Sequence, residues 1–260
     1  MTPQDYINTK EKYNNTVRLH PQFLFRGHSN SSWTLIPSLS RIITRKGISL
    51  LKALQLEREL VNKFSVSANN LIDLKNTISL SLARANSNGQ LDFLGWFPLM
   101  QHFQAPTRCL DWTTSYLVAL YFACQGLDTD GTVWVVDFNK ATDRGMEKIG
   151  TKNFTQLLFR EDSREDILMF MSTYNTNDRI ESQQGKFSVC TNPFSDHETL
   201  LNEYHAIEEK IIIPKELKER ILIHLYSMNI NAKTLFPGLD GLGKSMAEYS
   251  ELWDSTSIIN

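Results

Sequence analysis

The chain has 260 residues, 41% of them apolar and 10% aromatic, enough to pack one large domain or two small ones. With 27 basic and 29 acidic residues the formal charge is -2, so no global positive field collects nucleic acid, and the charge balance argues against non-specific DNA binding. Cys109, Cys124 and Cys190 form no C-x-x-C pair, which argues against a disulfide scaffold or a zinc site and suits a reducing, cytoplasmic setting.

The N-terminus lacks the basic end and apolar run of a signal peptide. No uncharged stretch nears the roughly 18 to 20 residues that span a bilayer, so no membrane partner is expected. "QFLFRG" (22–27) reads as a buried strand ended by Gly27, and "WTLIPSLSR" continues extended until Pro37 interrupts it. From Ile48 to about Leu74 apolar residues recur every three or four positions, which predicts a long amphipathic helix. "SNGQ" (87–90) breaks the pattern, and "LDFLGWFPLMQHF" predicts a second, more buried helix despite Pro98.

"PTRCLDWT" reads as a short strand, because Pro106 turns Ala105 away from helical geometry. Asp111, Thr113 and Thr114 are N-cap types before "SYLVALYFACQ", a helix apolar on every face and so enclosed by the core. "TVWVVDF" is a buried strand. "FTQLLFRE" and "EDILMFMS" read as helices, "RIESQQGKFSVC" as a strand with Gly185 as a bulge or close-approach point, and "AIEEKIIIP" as another strand. Two helices close the chain, over "KELKERILIHLYSMN" and within "TLFPGLDGLGKSMAEYSELW". No linker or repeat divides it, so one α+β domain over 1–260 is expected, its core at about 22–246 and a helical insertion at about 48–104.

The ordered blocks "FRG" (25–27), "WTLIPSLSR", "QHFQAPTRCLDWT", "SYLVALYFA", "GTVWVV", "RIESQQGKF" and "LFPGLDGL" resemble the FRG domain family, from about Gln22 to Met246. The sequence departs from the family pattern at Gln104, where Gly is usual, and at Cys109, where Leu is usual. The resemblance implies a bacterial or phage-borne protein, often encoded beside toxin or phage-defence genes. The layout is also similar, more weakly, to the ADP-ribosyltransferase superfamily. That superfamily has a first-strand Arg or His before a small residue, a central Ser/Thr/Tyr element leading into an A-x-x-F-A helix, and a last-strand Glu or Gln. The corresponding pieces are Arg26-Gly27, "WTTS" (112–115) ahead of "ALYFA", and "ESQQ" (181–184).

This second resemblance implies an ADP-ribosyltransferase-like mixed sheet core that takes NAD, or a related nucleotide, as substrate and modifies a macromolecular target. Arg26 is assigned to the pyrophosphate or a ribose hydroxyl. Thr113, Thr114 and Ser115 are assigned to the nicotinamide ribose and ring, Trp112 to stacking, and Gly27, Arg108 and Gln184 to cofactor binding. Glu181 or Gln183 is assigned to the 2′-hydroxyl and the developing cation, a task an amide performs less well than a carboxylate. Alternatively His102, Arg108 and Asp111 form the working cluster, with Asp111 orienting His102 as a general base.

Each residue also has a structural role open to it. Arg26 can be salt-bridged to Asp111 or Glu181, Asp111 can cap a helix, and Trp112 can fill the core. Arg108 can clamp Asp111 and a carbonyl, and the two glutamines can pair a sheet edge. His197, His205 and His224 lack ligand spacing, so no metal site is expected. "PGLDGLGKS" has the wrong glycine spacing for a phosphate loop and reads as a turn capping the last helix. The expectation is an ADP-ribosyltransferase-like effector acting as an intracellular toxin or phage-defence protein. The alternatives are a noncatalytic module for a nucleotide, nucleic acid or phage protein and, third, a metal-independent nuclease.

Overall fold

The structure, a computed structural model, describes residues 1–13, 22–71, 93–161, 166–171 and 183–253. Six described strands form one open sheet: β1 (Phe23–His28), β2 (Cys109–Thr113), β3 (Gly131–Asp137), β4 (Leu168–Met171), β5 (Gly185–Cys190) and β6 (Ile207–Ile213), in spatial order β4-β5-β2-β1-β3-β6. Every neighbouring pair is antiparallel, which corrects the expected mixed sheet. The intervening segments bring the chain back to the end of the sheet from which an opposed neighbour starts, so the bonds run square to the strands.

Eleven described helices surround the sheet: α1 (Pro3–Lys12), α2 (Ser38–Lys46), α3 (Leu50–Leu71), α4 (Phe93–His102), α5 (Tyr116–Cys124), α6 (Phe138–Ile149), α7 (Phe154–Leu157), α8 (His197–Glu203), α9 (Lys215–Ser227), α10 (Ala232–Leu235) and α11 (Leu239–Glu251). None is long and apolar enough to cross a membrane. Two expectations fail locally. "WTLI" before Pro37 forms no strand and leads into α2, with Pro37 as its N-cap, and "LMFM" within "EDILMFMS" is strand β4. The stretch read as a phosphate-loop look-alike lies mostly inside α11, which begins right after Gly238.

β3 is buried along its whole length because helices cover both faces. On one face Val133 and Val135 join Phe25, the residues of α5, Ile211 and Ile213, and Ile221 and Leu225 of α9. On the other Trp134 and Val136 join Leu24, Leu110, Trp112, Ala141 and Leu200. A third cluster sets α3 and α4 on Cys109, Phe187 and Val189.

The helix α5 comes unusually close to the sheet. A Cβ on Gly27 would stand 2.0 Å from the Ala119 carbonyl oxygen, and one on Gly131 2.0 Å from that of Ala123. Glycine at 27 on β1 and at 131 on β3 leaves room for the α5 backbone at Ala119 and Ala123.

β1 pairs with β3 along its full length, and β2 with β5 along its full length, yet β1 and β2 meet at one register pair, Phe25 with Thr113. The sheet is thus two three-stranded halves joined by a single rung, and the gap beside that rung positions the site.

Candidate functional site

Where β1 and β2 part, a cleft of about 200 Å³ opens between α4 and α5. Phe25, Arg26 and Gly27 of β1, Asp111, Trp112 and Thr113 of β2, and Gln183, Gly185 and Phe187 around the start of β5 line it. Pro98, Gln101 and His102 close one side and Phe122 the other. The cleft falls on the boundary between the core under α5 and the core under α4, where neither helix group reaches across.

Arg26 occupies the gap. Its Nη1 donates to the Asp111 carbonyl at 2.6 Å and stands 4.0 Å from Asp111 Oδ2, while Nε donates to His28 Nε2 at 2.9 Å. The Arg26 side chain is 21% exposed. Burial lowers its pKa, the Asp111 charge opposes that shift, and Arg41 adds to it. Burial, then the Arg26 charge, pushes His28 down to about 3. A neutral His28 can accept from Arg26, which a protonated one cannot.

Asp111 is exposed, and its carboxylate is held by Gln101, whose Nε2 donates to Oδ2 at 2.6 Å. Thr107 Oγ1 in turn donates to Gln101 Oε1 at 2.8 Å. His102 lines the same cleft, but the residue that orients Asp111 is Gln101. Sequence reasoning missed Gln101, although it sits beside His102 in the "QHF" block at the end of α4.

The turn after β2 is stitched to the turn before β5. Thr113 Oγ1 donates to the Gln183 carbonyl at 2.7 Å, and Thr114 Oγ1 donates to Gln184 Oε1 at 2.9 Å. The Thr114 amide donates to the Gln184 carbonyl at 3.1 Å. Ser115, not Asp111, Thr113 or Thr114, is the N-cap of α5, its side chain accepting from the Val118 amide. Gln183 Nε2 donates to the Leu235 carbonyl at 3.0 Å. Gln184 has a φ of 51° and leads into β5, where Gly185 pairs regularly with Thr113, so no bulge forms there. The glutamines thus precede the fifth strand and not the last one, β6.

Arg26, Gly27, His102, Asp111, Trp112, Thr113 and Gln183 therefore share one cleft. Trp112 borders it with its ring buried: Nε1 donates to Ser188 Oγ at 2.8 Å, and the ring packs edge-on against Phe170. Thr114, Ser115 and Gln184 lie beside the cleft in the two stitched turns. Glu181 lies outside the described residues.

Arg108 is elsewhere. It forms a buried ion pair with Glu57 of α3, Nε donating to Glu57 Oε1 at 2.7 Å and Nη2 meeting Oε2, while Nη1 donates to the Thr191 carbonyl at 2.7 Å. Arg108 does not line the cleft, and its guanidinium is committed to Glu57 and to backbone carbonyls away from Asp111. Among the described residues no group of three or more His, Cys, Asp or Glu side chains is placed to hold a metal ion.

No curated protein and no solved structure matches the chain. The family model of the FRG domain matches residues 21–131, which hold β1, α2 to α5 and both sides of the Arg26–Asp111 contact. The match ends before the "QQG" turn, short of the span expected from the sequence blocks. By this match, residues 21–131 of the chain carry an FRG domain.

Proposed function

We propose that the cleft binds NAD or a related nucleotide and that the protein transfers ADP-ribose to a macromolecular target as an intracellular effector. One observation carries the reading. Arg26-Gly27, the 111–115 element and Gln183-Gln184, far apart in sequence, come together through direct hydrogen bonds around one opening in the sheet. In the transfer the bond from ribose C1′ to the nicotinamide nitrogen breaks, nicotinamide keeps the electron pair, and a nucleophile of the target forms the new bond to C1′. Arg26 holds phosphate through its planar fork. The Asp111 carboxylate, steadied by Gln101, faces the developing positive charge or takes the proton of the nucleophile, with His102 on the same wall.

The cleft is smaller than the roughly 300–1,000 Å³ of typical small-molecule sites. It accommodates one end of a dinucleotide while the remainder lies outside.

The test is incubation of the purified chain with NAD labelled in the nicotinamide and in the adenylate. Release of free nicotinamide with transfer of adenylate label, both lost in Arg26→Ala, is the expected result. NAD recovered intact, with no nucleotide raising the melting temperature, rejects the proposal.

A second reading, binding without turnover, is favoured by Gln183: its amide is committed to the Leu235 carbonyl, and no described carboxylate stands on that side of the cleft. Its signature is a nucleotide that raises the melting temperature yet stays unchanged over hours.

A further inference from the structure

Arg26 belongs to a second arrangement of residues besides the cleft. Arg26, Trp134 and Lys210 are register partners on β1, β3 and β6, so their side chains stand in one row on one face of the sheet. Lys210 Nζ lies 4.3 Å from the centroid of the Trp134 ring. In the next rung on that face His28 meets Trp33 edge-on, with ring centroids 6.0 Å apart. Arg41, on the exposed side of α2, donates Nη1 to the Ile36 carbonyl, and its charge acts on both Arg26 and His28.

The cations of this patch are poorly matched by acids. Arg41 and Lys210 form no ion pair with a described carboxylate, and Arg26 has only Asp111 at 4.0 Å. Glu198 feels Lys210 but does not pair with it. On a chain of net charge -2, three such cations on one face form a local positive field.

Trp33 is 52% exposed, and the loop that carries it is firmly held. The Asn30 side chain accepts from the amide and hydroxyl of Ser32, the Trp33 amide donates to the Asn30 carbonyl, and the Ser31 amide donates to the Asp130 carbonyl. Lys218, itself fully buried, donates to the carbonyls of Ser29, Gln125 and Gly126. A large indole kept in water on a loop with this many ties has the properties of a stacking platform rather than of a frayed turn.

We propose that Trp33, Arg41, Lys210 and Arg26 form a nucleotide subsite, joined to the cleft through Arg26, in which the phosphates lie on the cations and a purine stacks on Trp33. This rests on the reading of the cleft as a dinucleotide site and assigns the patch to the ADP half. Arg26, with one face towards the cleft and the other towards His28, is placed to hold the pyrophosphate between the two halves.

The experiment is calorimetric titration of ADP, NAD and nicotinamide riboside into the full chain and into Trp33→Leu and Arg41→Gln, with melting curves to confirm that these exposed substitutions leave the fold intact. The full chain is expected to bind ADP, saturating ADP to prevent NAD binding, and each variant to weaken ADP and NAD by roughly 5- to 100-fold, the range that loss of base stacking or a phosphate contact gives. Nicotinamide riboside affinity should be unchanged. ADP that fails to bind, or binds both folded variants as it binds the full chain, overturns the subsite, and simultaneous binding of ADP and NAD overturns its assignment to the dinucleotide. If NAD binding survives in both variants, the subsite falls and the cleft reading stands. If ADP binding is variant-sensitive while nicotinamide riboside never binds, the subsite stands and the cleft reading falls.

Discussion

Arg26 donates through Nε to Nε2 of His28, so the proton of His28 sits on Nδ1 and the ring stays neutral beside a guanidinium. His197 is a second buried neutral histidine, pushed down to about 3 by burial and then by the Arg26 charge. Both folded values lie below the ordinary value of 6.5, so between about 3 and 6.5 the unfolded chain binds more protons than the native one.

The stability that these neutral rings contribute is therefore full above pH 6.5 and is lost as the pH falls towards 3. Each histidine accounts for up to about 1.4 kcal/mol per pH unit in that window. Urea unfolding at pH 7.5 and at pH 5.5 should give a lower stability at the acid end. His28→Gln, which keeps an acceptor for Arg26, should flatten the dependence by about half. A stability unchanged between the two values would contradict the burial of both rings.

Gln104 ends α4 in the left-handed region, with a φ of 62°. Its amide bonds to the Gln101 carbonyl and the Ala105 amide to the Met100 carbonyl, the pairing of a Schellman motif with Gln104 at C′. α2 ends the same way with Gly47 at that position, φ 59°. A non-glycine residue there costs about 1–2 kcal/mol. Part of this returns on Gln104→Gly, offset by the greater freedom of glycine in the unfolded chain. The expected gain is up to about 1 kcal/mol, seen as a higher melting temperature. A lower one would show that the Gln104 side chain contributes more than its backbone strain removes.

The parts of this fold that were legible are those whose periodicity is set locally. The apolar run of β3, the helical spacing of α3 and the all-apolar α5 read correctly because burial on one, two or all sides leaves a distinct pattern. β4 did not, because four apolar residues carry no periodicity, and strand is selected by pairing with β5, as between Met169 and Val189. Pro37 looked like an interruption, yet its extended ψ of 159° is the geometry of a residue just before a helix. In the site, Arg26 and Asp111 were legible as charges inside apolar segments. Gln101 was not, since its task depends on how α4 lies over β2. Arg108 was not separable from Asp111 in sequence, since its partner Glu57 lies 51 residues away on α3.

Gly27 lines the cleft, and it also admits α5: an added Cβ would meet the Ala119 carbonyl oxygen at 2.0 Å and the Ala123 amide nitrogen at 2.6 Å. Both are backbone atoms, so no side chain can swing aside. Gly27→Ala should cost about 3 kcal/mol, the upper part of the range for overpacking. The measurement is stability in urea, since loss of ligand binding would not separate the two roles of this residue. A variant as stable as the parent would mean that α5 slides freely on the sheet.

Arg108 and Glu57 tie α3 to β2 through a pair whose side chains are 1% and 2% exposed. Removing one partner leaves the other charge buried, which costs about 3–5 kcal/mol, whereas replacing both by apolar side chains of similar size is often neutral. Glu57→Leu and Arg108→Met should each destabilise strongly. The double substitution should recover most of the loss, apart from the share due to the Cys190 and Thr191 carbonyls that Arg108 also serves. Denaturant unfolding of all four proteins closes the cycle. If Arg108→Met instead left stability intact and abolished nucleotide binding, Arg108 would return to the ligand-binding set.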